Sequence, residues 1–217
     1  MFYMERFTHF IIIVLFLGAL STQAKSQIED CLTQYSGYDT VSSNGNFIKY
    51  HLKYEYLTKY HIKNNYVSLE YGNRSFHRFL KEKFECQTAD SRIPSLEWDN
   101  NDFICLRYGC GSPCWGVLIL PLDSTDSARN IMYELAFNTP DNLIVYLDND
   151  HYEKIVVENL KSKVKQVIEV PLKCDAAFLG ACIDSISIKN KELYYRFAVP
   201  NNFDNNKKLT EFRIKIK

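Results

Sequence analysis

A strict alternation of apolar and polar residues constrains the fold of this chain most strongly. From residue 48 to residue 56, isoleucine, leucine and tyrosine alternate with lysine, histidine and glutamate. Successive side chains of a β-strand point to opposite faces of a sheet, so this period of two indicates a half-buried strand. The 15 tyrosines and 14 phenylalanines of the chain also suit sheets, where aromatic side chains pack well.

Further strands are predicted where short apolar runs lie between turn residues. These runs are residues 66–71, 103–108, 115–120, 143–147, 154–157, 164–170, 183–188, 193–199 and 209–216. Roughly ten strands predict an all-β fold, built as an antiparallel sandwich or as barrel-like sheets, with disulfides and little helix. The hairpins after residue 140 also have the rhythm of propeller blades, so a propeller-like stack is the alternative.

Two segments are predicted as the only helices. Residues 74–85 carry phenylalanines and a leucine at a partial helical spacing, and Asn73 before them suits a helix N-cap. Residues 124–135 are the second helix candidate. We therefore expect a low helical content.

The N-terminal 24 residues have the three-part plan of a secretory signal. A polar start precedes the apolar run 10–17, and Thr22 and Ala24 supply small residues at the −3 and −1 positions of a cut after Ala24. The apolar stretch is shorter than the roughly 20 residues that a spanning helix needs. The sequence thus predicts a signal peptide at 1–24 and a single β-rich domain at 25–217. That domain is expected to be periplasmic or secreted, with no membrane span after cleavage.

Charge is balanced over the chain but unevenly distributed. The formal net charge is +0, which disfavours nucleic acid as a partner, because nucleic-acid binders carry a basic excess. Residues 85–150 hold 3 basic and 11 acidic residues, whereas residues 151–217 hold 13 basic and 8 acidic residues. The acidic segment is either a surface for a basic partner or is neutralised by neighbouring strands, and we favour neutralisation.

All seven cysteines follow the predicted cleavage site, and export would place them in an oxidising compartment. Two local pairs stand out by spacing, Cys110 with Cys114 and Cys174 with Cys182, and Cys31 with Cys86 would then form a third bridge, although spacing alone does not fix the connectivity. Because seven is odd, one thiol remains, and Cys105 is the candidate. Period two places Cys105 on the less apolar face of its strand, where we expect the Cys110–Cys114 tip or a second sheet to cover it.

The Cys110–Cys114 segment is the most distinctive candidate for chemistry. A redox pair needs a thiolate with a depressed pKa, commonly at a helix start. Here three residues separate the cysteines and the following residues read as a strand, which favours a structural disulfide. The redox pair remains the alternative.

No metal or cofactor site is predicted. None of the histidines His51, His61, His77 and His151 lies three or four residues from another, the spacing typical of metal ligands. Asp148, Asp150 and Glu153 could ligate calcium, but the loop lacks the glycine of a calcium-binding loop. We expect an ordinary turn there, and no catalytic residue is assigned.

The segment from Trp98 to Leu122, which includes both cysteines of the tip, resembles small exported bacterial proteins of unassigned function. Some of these act as envelope binding proteins or toxin-immunity partners, and the resemblance implies no site residues. It favours an exported, non-catalytic binding or inhibitory protein of the bacterial envelope. The expected partner is a protein, and the alternative is an envelope thiol-disulfide redox protein or enzyme using Cys110 and Cys114.

Overall fold

The computed structural model describes residues 39–57, 62–81, 84–85, 93–111, 114–148, 152–174, 179–199 and 208–217. These residues form four antiparallel sheets that follow one another along the chain. The predicted signal peptide, at residues 1–24, lies outside the described residues. The all-β fold class is confirmed.

The strands are numbered in chain order. The first sheet holds β1 to β5, at Thr40–Val41, Phe47–Leu57, Ile62–Gly72, His77–Phe79 and Phe84–Glu85. The second sheet holds β6 to β9, at Ser95–Asp99, Phe103–Gly111, Cys114–Pro121 and Arg129–Met132. The third sheet holds β10 to β13, at Glu134–Asn138, Leu143–Leu147, Lys154–Asn159 and Lys165–Glu169. The fourth sheet holds β14 to β16, at Ile183–Lys189, Glu192–Val199 and Lys208–Lys215, and a 3-10 turn at Leu179–Cys182 precedes it.

The hairpins expected from the sequence are confirmed. Strand β7 pairs with β8, β11 with β12 and β14 with β15, all antiparallel. Between β14 and β15 the turn consists of Asn190 and Lys191, whose φ angles are 51° and 58°. Two consecutive residues with positive φ match the right-handed twist of the strands they join, which is why this turn closes tightly.

Both helix predictions are wrong. Residues 74–85 contain β4 and β5, and residues 124–135 contain β9 and the start of β10. Each segment begins with a capping side chain followed by a turn and then a strand. Asn73 Oδ1 accepts the N–H groups of Ser75 and Phe76, each at 3.0 Å. Asp123 Oδ1 likewise accepts the N–H of Thr125 at 2.7 Å. The cap signal is real, but here it closes an isolated turn instead of starting a helix.

The four sheets stack face to face in chain order, and a separate apolar cluster fills each interface. Val67, Leu69, Leu106 and Leu118 belong to the cluster between the first and second sheets. Cys105, Ile119, Ile144 and Val156 belong to the one between the second and third. Val145, Val157, Leu193 and Phe197 belong to the one between the third and fourth. The second and third sheets are therefore covered on both faces.

Among the described residues none of the sheets closes into a barrel, so the barrel-like alternative is wrong. The arrangement is an all-β sandwich of stacked sheets. Each sheet is built from strands close together in the chain, which is the order expected for the propeller-like alternative.

Candidate binding surface

The antiparallel strands place their turns at two opposite ends of the stack. The end that we call the disulfide end holds Cys110, Cys114, Trp115, Tyr133, Tyr152, Cys174 and Cys182. The opposite end, which we call the asparagine end, holds Asn46, Asn100, Asn142 and Asn159. The register of β7 with β8 and of β11 with β12 fixes this division, since each hairpin turns at the disulfide end.

At the asparagine end, side-chain hydrogen bonds join successive sheets. Asn46 of the first sheet donates its Nδ2 to Asp99 Oδ2 of the second sheet at 2.6 Å. Asn100 donates its Nδ2 to Asn142 Oδ1 of the third sheet at 2.7 Å, and Asn142 donates back to Asp102 Oδ2 at 2.9 Å. These amides satisfy one another, so we interpret the network as structural.

Two of the three expected disulfides lie at the disulfide end. Cys110 is bonded to Cys114 across the β7–β8 hairpin, and Cys174 is bonded to Cys182 across the loop before β14. Cys114 is the first residue of strand β8, so no helix N-terminus is available to lower its pKa as a thiol. The geometry therefore favours a brace over a redox centre.

The other cysteines divide into two cases. The predicted partners Cys31 and Cys86 lie outside the described residues. Cys105 is a free cysteine, as predicted, and is only 1% exposed. Burial and the neighbouring Glu134 raise the pKa of its thiol, which keeps it protonated. Of the two covers expected for Cys105, a second sheet is confirmed, because Cys105 packs with Ile144 and Tyr146 of the third sheet, and its strand face is therefore as buried as the opposite one.

Three aromatic side chains form a row across the disulfide end. The rings of Trp115 and Tyr133 have centroids 5.1 Å apart at 82°, and those of Tyr133 and Tyr152 are 4.6 Å apart at 69°. Such edge-to-face contacts are favourable beyond the burial of area. All three side chains remain partly exposed, so the row offers both apolar area and polar groups to a ligand.

Two residues of this row adopt a backbone conformation that bulky residues rarely adopt. Tyr133 has φ 50° and Tyr152 has φ 56°, both in the left-handed region. A non-glycine residue there costs about 1–3 kcal/mol. Backbone hydrogen bonds hold both positions: Tyr133 N–H donates to Trp115 O at 3.0 Å, and Tyr152 O accepts from Leu179 N–H at 3.4 Å. The fold thus fixes both rings at a cost in backbone strain.

A buried carboxylate supports the row from below. Glu134 is 3% exposed and its carboxylate is ion-paired with Arg107, whose Nε lies 3.2 Å from Glu97 Oε2. Burial raises the pKa of Glu134 and outweighs the lowering effect of Arg107. The backbone oxygen of Glu134 accepts a hydrogen bond from Trp115 Nε1 at 2.8 Å, which fixes the indole.

The histidines and the acidic turn show no convergence on a ligand. His51 lies on the outer face of the first sheet, with its Nε2 3.0 Å from Glu70 Oε2, and His77 lies on β4. His61, His151 and Asp150 fall outside the described residues. Asp148 Oδ1 accepts the N–H groups of Glu153 and Lys154, which matches the ordinary turn expected there. In the described part of the chain, no group of three or more potential ligands could hold a metal.

Two acids of the acidic middle segment are offset by lysines from later in the chain. Lys161 Nζ lies 2.9 Å from Asp102 and Lys163 Nζ lies 2.6 Å from Asp126, and both lysines lie in the connection between β12 and β13. Neutralisation is therefore observed for these two acids, but between loops of neighbouring sheets and not between neighbouring strands of one sheet.

Sequence reasoning missed the aromatic row. Tyr133 lies in a segment that the sequence predicts as a helix. Tyr152 lies in an acidic turn, where the sequence offered only the carboxylates as candidate ligands. Only the abundance of tyrosine pointed toward such a surface.

No known protein family and no curated protein matches this chain. Among the described residues no helix is long and apolar enough to cross a membrane.

Proposed function

We propose that this chain is an exported, non-catalytic binding or inhibitory protein of the bacterial envelope. Its ligand is a protein, and the contact surface is the row of Trp115, Tyr133 and Tyr152 at the disulfide end. Periplasmic or secreted localisation belongs to the same proposal. The two disulfides are consistent with an oxidising compartment.

The observation that carries this proposal is that Tyr133 and Tyr152, whose rings are in contact, both have a strained backbone. Both residues have a positive φ although neither is a glycine or an asparagine. Strained residues cluster at functional sites, where the strain is the cost of holding a side chain in position. Positive φ also occurs in ordinary turns of this chain, at Asn142, Lys163, Asn190 and Lys191, so strain alone does not mark a site. The two tyrosines differ from these residues because their rings are in contact, with centroids 4.6 Å apart, and both are partly exposed.

The chemistry of the row suits a protein partner. Tryptophan and tyrosine are enriched among the residues that dominate binding energy, because each combines a large apolar area with one polar group. The hydrogen bond from Trp115 to Glu134 and the two disulfides pre-organise the surface. A surface ordered before binding loses little conformational entropy on association.

The test is affinity capture from an envelope extract, with three forms of the protein as bait. Tyr152→Asn removes a ring of the row while keeping a residue that accepts the positive φ. Tyr194→Ala is the control, since Tyr194 lies on the fourth sheet, where its hydroxyl contacts Glu192 at 2.7 Å. Each bait is first checked for a cooperative thermal transition.

We expect wild type and Tyr194→Ala to capture the same protein. Tyr152→Asn should bind that captured protein about thirtyfold more weakly, as for a hot-spot residue. Equal affinity for Tyr152→Asn would contradict the proposed surface. Capture of no protein, together with turnover of a small substrate, would contradict the proposed function itself.

A further inference from the structure

A groove lies between the first and second sheets, away from the aromatic row. It separates edge strand β4 from the loop 122–128, which joins β8 to β9. Its volume is about 570 Å³, and its lining includes Tyr71, Arg78, Lys81, Ser124 and Ser127. This volume falls within the range of sites for small molecules. The proposed function does not use it.

Arg78 is held rigidly in this groove by neutral partners. Its Nη1 donates to the backbone oxygen of Asp126 at 2.6 Å, and its Nη2 donates to Ser124 O at 3.1 Å and to Asp123 O at 3.3 Å. These are carbonyl oxygens, which orient the guanidinium without cancelling its charge. Within the described residues, neither Arg78 nor Lys81 has a carboxylate at ion-pair distance.

The two carboxylates of the loop are engaged elsewhere. Asp123 Oδ1 accepts the N–H groups of Thr125 at 2.7 Å and Asp126 at 2.9 Å, which closes the turn. Asp126 Oδ1 contacts Lys163 Nζ at 2.6 Å. The groove therefore presents two cations and serine hydroxyls, while Asp126 is ion-paired with Lys163 and Asp123 is bonded by backbone N–H groups. This donor-rich lining suits a ligand that carries several acceptor oxygens.

A buried hydroxyl in the wall of the groove points to the same kind of ligand. Tyr71 is 0% exposed, and no described residue accepts the hydrogen of its hydroxyl, whose oxygen lies close to the guanidinium of Arg78. A buried polar group without a partner is costly to the folded protein. Arg78 is close enough to influence the pKa of this hydroxyl, which burial raises. A ligand oxygen bound to Arg78 would lie beside the hydroxyl and could accept its hydrogen.

We propose that this groove binds a small organic anion through its phosphate or carboxylate group. Arg78 and Lys81 supply the charge, the Tyr71 hydroxyl donates one hydrogen bond, and the serine hydroxyls bind the polar body of the molecule.

The proposal is tested by calorimetric titration of three related sugars into the purified protein. The comparison shows whether binding needs an anionic group and which anion is preferred. Glucose 6-phosphate carries a phosphate, glucuronate carries a carboxylate, and glucose carries no charge. The groove should bind at least one of the two anionic sugars, and glucose at least about tenfold more weakly, since charged hydrogen bonds are the stronger ones. Binding of one anionic sugar alone identifies the preferred anion. Absence of binding by both, or equal binding of glucose, overturns the proposal.

Two variants then assign the binding to this groove. Lys81→Gln removes an exposed charge, and Tyr71→Phe removes only the buried hydroxyl. Each should weaken the bound anionic sugar about tenfold. The Tyr71→Phe protein should melt at nearly the same temperature as wild type, because no described residue accepts the hydrogen of the hydroxyl that it loses.

Tyr195→Phe is the matched control. The Tyr195 hydroxyl is also buried and without a partner in the described part of the chain, but it lies in the cluster between the third and fourth sheets. This variant should bind the anionic sugar as wild type does. If Lys81→Gln and Tyr71→Phe leave the affinity unchanged, or if Tyr195→Phe lowers it equally, the groove is not the binding site.

Discussion

At the scale of single residues, a buried carboxylate links the second and third sheets. Glu158 is 0% exposed. It accepts hydrogen bonds from Arg129 at 2.7 and 3.0 Å and from the Tyr146 hydroxyl at 2.8 Å. Burial alone raises the pKa of Glu158, but the hydrogen bonds outweigh burial, so its pKa lies below the ordinary value. The charge is therefore held in the folded state by its partners.

This pKa shift has a defined sign. A depressed folded-state pKa means that the carboxylate contributes stability above its unfolded pKa of about 4.3, and that this contribution is lost as pH falls through the folded value. Glu158→Gln should therefore lose about 3 kcal/mol at pH 7, because it leaves Arg129 without its carboxylate. Below pH 4 the difference from wild type should shrink. Urea unfolding at pH 7 and at pH 3 measures both values.

An exposed copy of the same triad provides the control. Glu192 accepts hydrogen bonds from Arg213 Nε at 2.7 Å and from the Tyr194 hydroxyl at 2.7 Å, on the outer face of the fourth sheet. Water and salt screen exposed pairs, so Glu192→Gln should lose much less stability than Glu158→Gln. Equal losses in the two variants would show that burial does not set the strength of the Glu158 pair.

Single residues also show what the sequence can and cannot predict about the site. The spacing of Cys110 with Cys114 and of Cys174 with Cys182 was informative because both bridges are local. Arg129 and Glu158 could not be paired in this way, since they lie on different sheets. The positive φ of Tyr133 likewise depends on hydrogen bonds with Trp115 and Leu147, which come from other strands.

At the scale of elements, strands with a long apolar alternation were predictable and short edge strands were not. Strand β2 follows period two from residue 48 to residue 56, whereas β4 has three residues and β5 has two. A segment that short carries no period of its own. It becomes a strand because β3 leaves backbone donors and acceptors that need partners. The helix predictions failed because they used only the local sequence, whereas β4 and β5 form by hydrogen bonding to β3.

The disulfides belong to this scale, since each one closes a connection between elements. Replacing both Cys174 and Cys182 by alanine should lower the free energy of unfolding by about 2–3 kcal/mol. The bridge closes a separation of 8 residues, and its loss frees the loop before β14. Urea unfolding measures the change. An unchanged unfolding midpoint would mean that this bridge constrains nothing in the unfolded chain.

The Cys110→Ala/Cys114→Ala variant separates a structural bridge from the redox alternative. The Cys110–Cys114 bridge has a sequence separation of 4 residues, shorter than that of Cys174–Cys182. Its removal should therefore lower the free energy of unfolding slightly less, by about 2 kcal/mol. A redox centre predicts the reverse pattern, with stability kept and thiol-disulfide exchange activity lost.

At the scale of the whole molecule, the sequence predicted sheets but not their order in the stack. The alternation of β2 suggested sheets with one solvated face, which holds for the two outer sheets. Strand β11 is instead buried at all five positions, and Phe103–Leu106 of β7 are buried on both faces. Continuous apolar runs of this kind mark strands covered on both sides. Recognising them would have placed the second and third sheets inside the stack.

Stacked sheets that contact only their neighbours should lose their structure from the ends. In hydrogen exchange measured by mass spectrometry, strands β7, β8, β11 and β12 should therefore exchange most slowly. The outermost sheets should exchange faster, because among the described residues each has an apolar cluster on one face only. Uniform protection over all four sheets would show that the stack opens as a single unit.

Two adjacent residues of β8 test this stacking directly. Leu118 packs in the cluster between the first and second sheets, whereas Ile119 packs in the cluster between the second and third. Both are almost fully buried, so Leu118→Ala and Ile119→Ala should each cost about 2–5 kcal/mol. The two variants should nevertheless speed hydrogen exchange in different strands. Leu118→Ala should speed exchange selectively in β2 and β3, since it weakens the interface of the first sheet with the second. Ile119→Ala should leave the first sheet docked on the second and speed exchange in β11 and β12. Identical exchange patterns in the two variants would contradict a stack with separate interfaces.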